Sequence, residues 1–151
     1  MKLAEALILR ADLQKRLEQL RQRLILNAQV QEGEQPAEDP ESLLRELDEV
    51  TGELESLIRQ INLTNAQTLT DGETLTALLA RRDCLTEKIS ILRSFLNTAS
   101  NISGRSSRME IKIYSTVPVA ALQKQADSLS KQLRELDVRI QSANWTTELI
   151  P

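Results

Sequence analysis

The stretch LTALLARRDCLTEKISILRSFL, residues 75–96, decides the fold. Its positions Leu75, Leu78, Arg82, Leu85, Ile89, Leu92 and Leu96 follow alternating steps of three and four, and only Arg82 is polar. That spacing keeps one seam of an α-helix turned toward a partner helix along its whole length. The same rhythm occurs three more times. It runs through Leu3, Ala6, Arg10, Leu13, Leu17, Leu20 and Leu24, then through Leu44, Leu47, Thr51, Leu54, Ile58 and Ile61. It closes with Leu122, Ala126, Leu129, Leu133, Leu136 and Ile140.

Four such segments predict an all-α protein, an antiparallel long-helix bundle of coiled-coil-like hairpins in a single domain over residues 1–151. The first helix is expected over about 2–31, ending near Gly33. An acidic connector follows, and Asp39 before Pro40 supplies an N-cap oxygen and a proline for the first helical position. The second helix should cover about 40–62. A second stripe at Leu43, Val50 and Leu57 widens its apolar face, which suits a helix with two neighbours. The Thr/Asn-rich run from Leu63 to Asp71 reads as a loop. Thr70-Asp71-Gly72-Glu73 has capping-box spacing and should open the third helix, over about 73–98. The fourth is expected over about 118–143. Leu17, Leu54, Leu85, Leu92, Leu129 and Leu133, each within a seam, are the expected core.

One or two short strands are also expected in the C-terminal third. From Arg108 to Val117, Met109, Ile111 and Ile113 alternate with polar or larger neighbours, a period of two. The tail over 145–150 alternates more weakly. A strand at 108–117 should find its partner in another subunit, or the helices should make a large subunit contact, since an open edge is a liability.

Composition narrows the functional classes. Aromatic residues make up 2% of the chain, so Leu and Ile must fill the interior. Charged residues are 27% and the net charge is −3, which gives no basic footprint for nucleic acid. Histidine is absent, removing the usual general base and the commonest transition-metal ligand. The single cysteine, Cys84, has no internal partner and fits a reducing cytoplasm as a partly buried thiol. No segment approaches the roughly 18 apolar residues of a membrane helix, and the N-terminus lacks a signal-peptide core. No metal, no cofactor and no enzymatic activity are expected.

The polar breaks in the seams supply the candidate binding residues. Arg10 and Arg82 are expected at one level of the bundle, with Asp137 of the fourth helix as counter-ion. A buried polar layer there would fix helix register. Two guanidinium groups could instead hold a small anion. The basic run Arg105-Ser106-Ser107-Arg108 reads as a solvated loop.

Short runs along the chain also resemble a known family. They are Lys2-Leu3-Ala4-Glu5-Ala6-Leu7, Gln31-Glu32-Gly33-Glu34 with Pro40, Arg82-Asp83, Glu110-Ile111-Lys112, Leu136-Asp137 with Ile140-Gln141, and Asn144-Trp145-Thr146-Thr147-Glu148-Leu149. In this order they resemble the septicolysin-like family of small bacterial proteins. The family's name implies a membrane-active cytolysin, and the resemblance carries over no catalytic or ligand residue. Membrane-spanning strands need about 9–11 residues each, a length that 108–117 barely reaches with Lys112 in its middle. The residues themselves favour a cytoplasmic homo-oligomer with a structural or interactive role, its partner being further copies of itself.

Overall fold

In a computed structural model, which describes residues 1–101 and 111–151, the protein is all-α and of helical-bundle type. Its elements are α1 (Leu3–Leu26), α2 (Pro40–Gln67), β1 (Leu69–Thr70), β2 (Glu73–Thr74), α3 (Leu75–Ser100) and α4 (Val119–Thr146). They fall into two compact units, Met1–Thr74 with Ala143–Pro151, and Leu75–Ser142.

The first unit is built on an antiparallel α1–α2 hairpin. Its register is set by ion pairs between Arg16 and Glu46 at 3.0 Å and between Arg23 and Glu38 at 2.6 Å. Continuing that register puts the buried Leu20, Leu13 and Ala6 level with Leu43, Val50 and Leu57. The buried face of α2 is thus the stripe Leu43, Val50, Leu57, Ile61 and Thr64. The expected seam of this helix is corrected. Leu44 is 50% exposed, Leu47, Leu54 and Ile58 are half-buried, and Thr51 is exposed. Thr51 donates its hydroxyl to the Leu47 carbonyl at 2.7 Å.

The six leucines expected at the centre of the core are likewise half-buried rather than buried. The buried set alternates with them: Leu13 and Leu20 in α1, Leu78, Ile89 and Leu96 in α3, and Ala126, Leu136 and Ile140 in α4. A seam has two flanks, and its partner helix covers one flank more fully than the other.

α1 stops at Leu26, short of the expected end near Gln31. Asn27 explains this. Its side-chain amide donates to the Arg23 carbonyl at 2.8 Å, and its amide oxygen accepts from the Glu38 N–H at 2.9 Å. The residue therefore caps α1 and fastens the connector to it. Asn27→Ala should lower stability by about 1 kcal/mol, and by more if the Glu38 N–H finds no water. Urea melts would read the difference.

α2 begins as expected, with Asp39 accepting from the Glu41 N–H at 3.3 Å and the Ser42 hydroxyl at 3.0 Å. It then runs past Asn62 to Gln67. Thr64 satisfies its hydroxyl on the Gln60 carbonyl at 2.7 Å, so it does not disrupt the helix. The expected capping box at Thr70–Glu73 is instead a two-residue hairpin. Leu69 pairs with Thr74, and Thr70 with Glu73. Asp71 (φ 51°) and Gly72 (φ 84°) occupy the turn. Both central residues at positive φ match a type I′ turn, for which Asp-Gly is a preferred pair.

The second unit contains α3 and α4 as far as Ser142. Arg93 on α3 reaches α4 at Ser130 Oγ (2.8 Å) and at Asp127 (3.4 Å). The strand expected over 108–117 is not formed in its described part: 111–117 is irregular, and 108–110 lie outside the described residues. Ser115 donates its hydroxyl to the Val117 carbonyl at 3.1 Å, a local bond that competes with strand pairing just ahead of α4. The run at 105–108 also lies outside the described residues. Of the tail at 145–150, only Glu148 forms a β-type bridge, with Lys2.

The tail returns to the start of the first unit. Leu3 N–H donates to the Thr147 carbonyl at 2.9 Å, Leu149 N–H to the Met1 carbonyl at 2.8 Å, and Ile150 N–H to Thr64 Oγ1 at 3.0 Å. The Met1 ammonium and Lys2 both meet the Glu148 carboxylate.

Candidate interaction surface

Each residue singled out from the sequence has a definite place. Arg10 lies on α1 in the first unit and is half-buried, while Arg82 and Asp137 belong to the second. No single unit therefore assembles the three. Arg82 bonds the carboxylate of its neighbour Asp83 at 3.3 Å. A long side chain can leave a seam and carry its charge to the rim, so a seam arginine need not build a buried layer. Cys84, expected to be partly buried, is exposed and unbridged. Among the described residues, no three His, Cys, Asp or Glu side chains group as metal ligands. No described helix is long and apolar enough to cross a membrane.

The most organised carboxylates serve structure. Hydrogen bonding to Arg23 holds Glu38 below the usual carboxylate range, and Lys2 with the N-terminal ammonium does the same for Glu148. The Ser42 hydroxyl and the first backbone N–H groups of α2 lower Asp39. A lowered native value stabilises the fold above the unfolded value, 4.5 for glutamate, and the benefit is lost as pH falls through the native value. The melting temperature should therefore be flat above about pH 5 and fall below it. Glu148→Gln should flatten part of that fall, as scanning calorimetry across pH would read.

The surface that sequence reasoning missed is the outward face of α2, opposite its buried stripe. Two ridges at four-residue spacing follow one another along it: Leu44, Asp48 and Gly52, then Glu55, Arg59 and Leu63. All six are exposed, Leu44 at 50% and Leu63 at 38%. A shallow groove lined by Gly52, Glu55, Ser56, Ile58, Arg59, Asn62 and Leu63 runs along the second ridge. A Cβ added at Gly52 would meet nothing within 4 Å, so the helix backbone is bare at the middle of the face. Among the described residues, Asp48, Glu55 and Arg59 enter no ion pair. The sequence did carry a signal: Leu44 and Leu63 are apolar, and their positions are out of phase with Leu43, Val50 and Leu57.

Comparison with known proteins places the chain. The profile of a "Family of unknown function (DUF6847)" matches residues 10–149. The chain is also similar to a solved structure, described as the crystal structure of a functionally unknown conserved protein from Corynebacterium diphtheriae. The identity is 42%, 99% of each chain is covered, and the TM-score is 0.93. Among curated proteins, none matches. These findings correct the septicolysin-like resemblance, since the family that spans the chain is a different one and the similar structure carries no such link. Three of the runs that suggested it, at residues 2–7, Arg82-Asp83 and Leu136-Asp137 with Ile140-Gln141, are leucine seams and charged flanks, which any long amphipathic helix needs. Its cytolytic implication falls with it.

Proposed function

The chain belongs to the DUF6847 family of unknown function, and we propose that it acts as a cytoplasmic, non-catalytic interaction protein assembled from copies of itself. The outward face of α2 carries this reading. Two exposed leucines flank charged side chains that enter no ion pair among the described residues, on a helix whose opposite face already closes the α1–α2 hairpin. A helix with one face buried and apolar side chains on the other has more adhesive surface than a hairpin uses. An exposed, unbridged Cys84 suits a reducing compartment. Neither nucleic acid nor membrane is among the proposed partners.

Light scattering after size exclusion tests the assembly. The reading expects a mass of at least twice 17.0 kDa at high micromolar protein. A monomer mass across the whole accessible concentration range overturns it.

A further inference from the structure

The geometry points to a twofold contact in which α2 docks antiparallel on α2 of a second copy, with its axis between Glu53 and Leu54. This rests on the self-assembly reading and adds the surface and the register.

The argument comes from the two ridges. Turning α2 about an axis at that point sends Leu44 to the level of Leu63, Asp48 to the level of Arg59, and Gly52 to the level of Glu55. All three pairs share one midpoint, and each is complementary in its own way. Leu44 meets an apolar partner, and both are exposed within the chain. Asp48 meets an opposite charge, and neither has an ion pair of its own among the described residues. Gly52, bare toward solvent, receives the longer Glu55. Twofold symmetry makes every pair occur twice, so four complementary contacts and two notches span about 28 Å of helix. Moving the axis by half a residue breaks all three pairings together.

In this register Arg45 falls level with Asn62 and Glu49 with Ile58, so neither faces a residue of its own sign. A second copy is therefore favoured over an unrelated partner, because one face carries both halves of each pair. One helix from each copy lies at the low end of specific interface sizes, the class of weak and transient contacts.

Sedimentation velocity on the full chain, from about 1 to 200 µM to suit an interface of that size, is the test. Asp48→Arg sets two guanidinium groups against each other at both ends of the contact, as Arg59→Asp does with carboxylates. Each single variant should weaken self-association at least tenfold. The double variant Asp48→Arg/Arg59→Asp should recover to within about threefold of the parent, since the pair is restored with exchanged partners. Both side chains are exposed, and circular dichroism of each variant should match the parent. Single variants that weaken assembly without recovery in the double overturn this pairing. An oligomer that ignores all three variants keeps the self-assembly reading but overturns this surface. A parent chain that stays monomeric up to the highest concentration overturns both.

Discussion

Leu57→Ala should lower the unfolding free energy by about 2–5 kcal/mol, the usual range for deleting a buried leucine with incomplete collapse. Leu44→Ala, on the same helix, should change it by less than about 0.5 kcal/mol. Helix propensity is altered identically at the two positions, so the difference isolates burial. Leu57 is 5% exposed and level with Ala6 of α1, while Leu44 is 50% exposed on the opposite side of α2. Ala6 leaves little side chain to close over the vacated space, which puts Leu57→Ala toward the upper half of the range. Urea melts at submicromolar protein, where self-association contributes least, measure both. Equal losses would mean that the two stripes of α2 share the core, and a larger loss at Leu44 would reverse its orientation.

α2 also marks how far the sequence could be read. The all-α class and the four helices follow from the three-four spacing, because lengthwise helix packing needs that period and little else. The seams of α1, α3 and α4 lie on the buried side. In α2 two stripes compete, offset by one residue: Leu43 beside Leu44, Val50 beside Thr51, and Leu57 beside Ile58. Both have helical periodicity, so only the partner decides: the stripe of Leu43, Val50 and Leu57 is buried, with Arg16–Glu46 and Arg23–Glu46 alongside it across the hairpin. Thr51, the polar member of the first stripe, was the local sign that the other is buried. Asp71-Gly72 was equally local, as a two-residue turn signal that a capping-box reading obscured. The end of α1 was not local at all, because Asn27 terminates the helix through the Glu38 N–H. The arginine breaks at Arg10 and Arg82 showed where seams are polar. They could not show that Arg82 would bond its own neighbour, Asp83.

Thr64→Val should destabilise the protein by about 1–3 kcal/mol although it preserves shape and adds apolar surface. Thr64 is fully buried, and its hydroxyl has two duties: it donates to the Gln60 carbonyl and accepts the Ile150 N–H at 3.0 Å. The Gln60 carbonyl already belongs to the helix ladder, so losing the hydroxyl donor there matters little. Among the described residues the Ile150 N–H donates to this oxygen, and valine would leave a part-buried donor unmatched. Thr64→Ser keeps the oxygen and removes a methyl, so its loss should be the smaller and come from packing alone, about 1 kcal/mol. Amide hydrogen exchange separates the two causes. In Thr64→Val the protection at Ile150, Leu149 and Leu3 should drop together, because their bonds form one connection between the tail and the start of α1. In Thr64→Ser those amides should remain protected. Loss of protection at Ile150 alone would mean that the bonds at Leu3 and Leu149 hold the tail independently of Thr64.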